Sequence, residues 1–156
     1  MTNRSTIHAS FTIERTFPVP PERVFQAFAD PAEKAKWFGG SDWENIERAF
    51  DFRPGGGETE VSRSPEGVEV GFYVHYYDIV PNERLVYSYD MTNGPERASL
   101  SVATIELEPV DGGTRYVHTE CGAFLDGHHD PVGREEGTVG LIDQLGQYLS
   151  TGRVLT

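Results

Sequence analysis

The sequence predicts an α+β domain in which a curved antiparallel sheet of about seven strands encloses a long C-terminal helix. Three observations predict it: a period-two segment near the start, five turn signatures through the middle, and apolar residues at three- and four-residue spacing near the end. The first gives one strand, the second a meander of further strands, and the third an amphipathic helix.

From Ile7 to Phe17, residues Phe11, Ile13 and Arg15 alternate with Thr12, Glu14 and Thr16, which suits a strand, and Pro18 ends it. Pro20 and Pro21 open a helix in its first turn, where the missing N–H costs nothing, and Val24, Phe25, Ala27 and Phe28 share one face. Asp30-Pro31 stops that helix. A second short helix follows from Ala32 to Phe38, and Gly39-Gly40 breaks it.

The turn signatures are Pro54-Gly55-Gly56-Gly57, Pro65-Glu66-Gly67, Pro81-Asn82-Glu83, Asn93-Gly94-Pro95 and Asp111-Gly112-Gly113. They separate strands predicted over Glu44 to Arg53, Glu58 to Arg63, Val68 to Val80, Arg84 to Thr92, Ala98 to Pro109 and Thr114 to Phe124. Such short links join antiparallel neighbours, so the strands should form a meander that the first strand completes. A loop from Leu125 to Asp130 leads to a helix running from Pro131 to about Thr151. Its apolar positions are Val139, Leu141, Ile142, Leu145, Tyr148 and Leu149. Gly137, Gly140 and Gly146 interrupt it, each costing roughly 1 kcal/mol relative to Ala, which suggests close packing or room left for something else.

Composition narrows the function. A chain of 156 residues fits one domain spanning 1–156, and nine Phe, seven Tyr and two Trp give it an aromatic core. Its formal charge of -12 repels phosphate backbones and anionic lipid headgroups, so neither nucleic acid nor membrane is an expected partner. The apolar runs are too short to span a bilayer, and the N-terminus lacks the order of a signal peptide, so the expected location is cytoplasmic. Cys121, the single cysteine, excludes an internal disulfide and a Cys-based zinc site and is expected as a small buried thiol.

A long helix across the concave face of a bent sheet is the helix-grip arrangement. The residues that carry a resemblance are Arg15-Thr16-Phe17, Pro20-Pro21-Glu22-Arg23-Val24-Phe25, Trp37-Phe38-Gly39, Asp51-Phe52-Arg53-Pro54-Gly55-Gly56, Val80-Pro81-Asn82-Glu83-Arg84-Leu85 and Gly112-Gly113-Thr114-Arg115. In that order they resemble the activator of heat-shock protein 90 ATPase homologue group of the START-like, polyketide-cyclase and birch-pollen-allergen superfamily, over nearly the whole chain. The resemblance implies a helix-grip fold with a ligand cavity under the terminal helix. That helix in the family usually begins with a Gly-Trp pair. Here Thr138 follows Gly137, which removes a large ring from the pocket mouth.

Strand phase then selects the interior. Ile105 and Leu107 lie between Glu106 and Glu108, so Ala103 and Ser101 share their inward face. Leu85, Tyr87, Tyr89 and Met91 should face inward from the strand before, and Tyr73, His75, Tyr77 and Ile79 from the long central strand. In the last strand the same logic, with the phasing the resemblance implies, turns Tyr116, His118 and Glu120 inward. Together with Trp37, Phe38, Phe50 and Phe52, and with Leu141 and Leu145 of the helix, these residues describe apolar walls with a few polar anchors, the make-up of a small-molecule pocket. The alternative is a filled core whose tyrosines reach the rim.

His118 and Glu120 project from one face and could form a carboxylate–imidazole pair able to act as a general base; a satisfied structural pair is the plainer alternative. His128-His129-Asp130 offers metal-ligand chemistry, but adjacent loop residues rarely converge on one ion, so no metal is expected. The Pro54-Gly55-Gly56-Gly57 run lacks the ending of a phosphate-binding loop. No cofactor fingerprint is present, and none is expected. The sequence thus predicts binding of a small hydrophobic or aromatic molecule. A cyclase- or hydrolase-like enzyme using His118, Glu120 and Tyr87 or Tyr116, and a module contacting a chaperone ATPase, remain the alternatives. Phe72, Val74 and Tyr76, outward in this phasing, would make an apolar stripe suited to a homodimer.

Overall fold

Seven antiparallel strands in the order β1-β7-β6-β5-β4-β3-β2 form one curved, unclosed sheet in the computed structural model, which describes residues 4–39 and 42–152. The strands are β1 (Thr6–Phe17), β2 (Glu44–Phe50), β3 (Gly57–Arg63), β4 (Glu69–Val80), β5 (Arg84–Asn93), β6 (Glu96–Val110) and β7 (Gly113–Leu125). The helices are α1 (Pro21–Ala29), α2 (Pro31–Trp37) and α3 (Pro131–Thr151). This is the helix-grip fold, with α3 across the concave face. Gly40, half of the predicted break after α2, lies outside the described residues, while Gly39 takes a φ of 105° there.

Each helix starts and stops for a local reason. Asp30 caps α2 through its side chain, which accepts from the Ala32 N–H at 2.9 Å. Asp130 does the same for α3 from the Gly133 N–H at 2.7 Å, and Pro131 fills the first helical position. At the other end Gly152, at a φ of 78°, donates its N–H to the Tyr148 carbonyl at 2.7 Å. Two side chains fasten α3 to α2: Gln144 Nε2 donates to the Trp37 carbonyl at 2.6 Å, and the Tyr148 hydroxyl donates to Glu33 Oε1 at 2.6 Å.

The glycine run before β3 is a corner built against β4. Gly55 sits at a φ of 84° and donates its N–H to the Tyr76 carbonyl, while Tyr76 donates back to the Gly56 carbonyl. A Cβ on Gly56 would strike the backbone of Asp51 and Arg53, so this corner needs glycine for a close approach.

The central strand overturns one expectation. Tyr73 and His75 lie on the convex face: Tyr73 folds over Gly71 and His75 is exposed. Tyr77 is also outside, 60% exposed. Instead Phe72, Val74 and Tyr76 point inward, opposite Met91, Tyr89 and Tyr87 of β5. A β-bulge between Tyr76 and Asp78 is the reason. Ile79 pairs with Leu85 and faces the core as predicted, but the extra residue at Tyr77 reverses the alternation before it. The stripe that suggested a homodimer is therefore an interior wall. Cys121, expected to be buried, is exposed. Among the described residues no helix is long and apolar enough to cross a membrane.

Two packed groups occupy the concave side. The larger joins Ile13, Phe17, Val24, Phe28, Trp37, Leu85, Ile105, Leu107 and Tyr116 to Ile142, Leu145, Tyr148 and Leu149 of α3. The smaller holds Val74, Tyr76 and Tyr89, with Phe52, Phe72, Tyr87 and Met91 against it.

Candidate functional site

The concave side is not filled throughout. A cavity of about 420 Å³ lies between β2 to β5, the end of α2 and the first turns of α3. Its apolar wall is Ala35, Phe38, Val70, Phe72, Met91 and Leu141, and its polar groups are Asn45, Arg48, Glu60, Ser62, Tyr89, Arg134 and Thr138. Trp43, Asn45, Gly133 and Gly137 line it and are exposed, which places the mouth between the start of β2 and the start of α3. A Cβ on Gly137 would meet nothing within 4 Å, so the helix offers open space there. Thr138 turns its hydroxyl to the Arg134 carbonyl at 2.8 Å.

Of the residues predicted to surround a ligand, Phe38, Tyr89, Met91 and Leu141 line this cavity. Trp37, Phe52, Tyr87, Ala103, Tyr116, His118, Glu120 and Leu145 do not. They are packed beside or behind it, as with Trp37, whose ring meets Phe28 edge-on at 5.0 Å and whose Nε1 donates to the Ala27 carbonyl at 2.9 Å. Small Ala103 and Ser101 leave no space in this cavity: Ala103 is fully buried, and Ser101, which accepts from Arg134, borders a separate space of about 70 Å³ instead. Tyr73 and His75 face away on the convex side.

Behind Tyr89 runs a buried polar chain. The Tyr89 hydroxyl donates to Glu120 Oε2, His118 Nε2 lies 3.0 Å from Glu120 Oε1, and the Tyr116 hydroxyl lies 3.1 Å from His118 Nδ1. With its proton on Nε2, His118 donates to Glu120 and accepts from Tyr116, so every member has a partner. Glu120 becomes the common acceptor of a closed network. The predicted His118–Glu120 pair thus exists, 5% and 3% exposed respectively, but Tyr89 stands between it and the large cavity. Glu120 borders a separate space of about 70 Å³ near β1, β7 and the start of α3. Burial pushes the hydroxyls of Tyr89, Tyr116 and Tyr87 well above the usual tyrosine range, and the Glu120 charge adds to it, so all three stay protonated near neutral pH.

A second buried pair supports the wall from outside. Lys34 Nζ lies 2.6 Å from Glu58 Oε2, which also receives the Tyr76 hydroxyl at 3.4 Å. Burial, then Glu58, raises the Tyr76 hydroxyl in the same way.

Arg134 is the residue that sequence reasoning missed. It reaches from the first turn of α3 to the Tyr89 hydroxyl at 3.1 Å, Ser99 Oγ at 2.7 Å, Ser101 Oγ at 3.4 Å and His129 Nδ1 at 3.2 Å. Its guanidinium also lies over the rings of Tyr89 and Phe124, at 5.5 and 5.1 Å. Burial, then the charge of Arg134, holds the His129 imidazole below its ordinary range, which favours the neutral ring, and with its proton on Nε2 that ring accepts from Arg134 at Nδ1. Of the loop residues first weighed as metal ligands, His129 therefore serves Arg134 and Asp130 serves the helix cap.

Comparison with known proteins places this geometry. The chain is similar to an uncharacterised protein from Rhizobium leguminosarum, with 40% identity over 96% of this chain and 99% of that one and a TM-score of 0.91. It is similar to the Mll3558 protein of Rhizobium loti, with 48% identity over 92% of this chain and 98% of that one and a TM-score of 0.85. A protein of the dynemicin biosynthetic locus shares the fold at 18% identity and a TM-score of 0.67, over 93% of this chain and 48% of that one. No curated protein matches the chain in sequence. Residues 18–150 match the family described as Activator of Hsp90 ATPase homolog 1-like protein, and the chain belongs to that family.

Proposed function

We propose that the protein binds a small, largely apolar or aromatic molecule in the cavity beneath the N-terminal half of α3. The observation that carries this reading is the cavity itself: about 420 Å³, in the range of small-molecule sites, with an apolar wall that includes Phe38, Phe72, Met91 and Leu141 and polar side chains that can anchor a ligand. Open space at Gly137 leaves a way in. A relative in fold that comes from a biosynthetic locus agrees with a small-molecule role.

Titration with the neutral fluorescent probe N-phenyl-1-naphthylamine tests the proposal. Saturable enhancement is expected in the native protein. It should be lost in Thr138→Trp, because residue 138 is buried on the cavity wall and an indole there must occupy the space. Thermal unfolding should show Thr138→Trp to be folded. An equal, saturable response in both proteins would place the probe elsewhere and defeat the reading.

A further inference from the structure

Two arginines line the cavity, and they differ in how their charge is met. Arg48 Nη2 lies 2.9 Å from Glu60 Oε1 and is neutralised within the wall. Arg134 has four partners, Tyr89, Ser99, Ser101 and His129, and all four are neutral. Among the described residues no carboxylate is within ion-pair distance of it. Glu120 is linked to it only through the Tyr89 hydroxyl and already receives two donors. The guanidinium is thus held in place, its rotamer freedom already spent, without being neutralised. A cation treated in this way is prepared for an anion that arrives from outside.

We infer that Arg134 is the recognition point for an anionic oxygen on the ligand, a carboxylate or an equivalent oxyanion, with the apolar body lying along Phe72, Met91 and Leu141. This rests on the cavity being a binding site and names the chemical class it takes. Its contact with Ser101, at 3.4 Å, is the longest of its four bonds and the first an incoming oxygen would replace. Gly137, one turn further along α3, has no side chain to block the approach.

The test uses 2-naphthoate and 2-naphthamide, which share size and shape and differ in charge, each displacing N-phenyl-1-naphthylamine from the native protein. Naphthoate should bind about tenfold or more tightly than naphthamide, the advantage of a charge-assisted hydrogen bond in a partly dry site. In Arg134→Gln that advantage should shrink to within about threefold. Equal affinities of the two compounds for the native protein would overturn the inference while leaving the cavity reading intact, and this comparison needs no variant. Absence of probe binding would overturn the cavity reading itself. An advantage that survives in Arg134→Gln would move the anion site to another residue and also overturn the inference.

Discussion

The two halves of α3 face different interiors. Beyond Gly140 the helix buries Ile142, Leu145, Tyr148 and Leu149 against β1, β6, β7 and α1, where aromatic contacts such as Phe17 on Tyr116 at 5.3 Å leave little void. Before it, the helix buries only Thr138 and turns Gly133 and Gly137 toward the cavity mouth. One continuous helix therefore has a structural end and a receptive end. The difference teaches that glycines which look like defects in a helix can mark where packing has been withheld, since a Cβ on Gly137 would meet nothing within 4 Å while one on Gly146 would come within 3.3 Å of the Phe17 ring.

Leu145→Ala should have the largest effect. Leu145 is fully buried at the structural end, so its truncation should cost about 2–5 kcal/mol in chemical denaturation while leaving probe affinity nearly unchanged in the folded protein. A cost below about 1 kcal/mol would erase the contrast between the halves. His118→Gln should come next. Glutamine cannot bond Tyr116 and Glu120 together as the imidazole does, so one buried group loses its partner at about 1–3 kcal/mol. Probe affinity should stay constant, because Tyr89 separates His118 from the cavity, and a large fall in affinity with stability intact would return His118 to the binding site. Gly137→Ala should have the smallest effect, a gain of about 0.5–1 kcal/mol read as a higher melting temperature, because the helix gains a better former and the methyl meets nothing. A loss at that position would show that the glycine is needed for packing after all.

Nearly all of the element order was legible, because Pro31, Pro131 and the glycine turns punctuate the chain where the elements change. Burial on β5 and β6 was legible too, since charged residues such as Glu106 and Glu108 mark the outer face, while on β7, where Glu120 is buried, the phase came from the resemblance. On β4 the charged marks disagree, because Glu69 sets the odd positions outside and Asp78, beyond the bulge, the even ones. Both faces carry aromatic or apolar residues, so alternation has no sign, and counting back by twos from Ile79 crosses the unseen bulge. Arg134 was hidden for a different reason. A charged residue in a first helical turn reads as solvated, and nothing local says that Tyr89, Ser99 and Ser101 stand across from it. One signal was available: Arg134 precedes Thr138, Leu141 and Leu145 by four, seven and eleven positions, which puts it on the buried stripe of its own helix.

The bulge at Tyr77 has a consequence for how such a cavity can change over generations. Elsewhere on β4, gaining or losing a codon would exchange the two faces of everything on one side of it. At residue 77 the ladder already absorbs one surplus residue, so its loss would leave Tyr76 and Ile79 each facing the side they face now. What would alter is the local bend, which bulges increase. Length variation at this position can therefore change the local bend of the sheet without turning its inner face inside out.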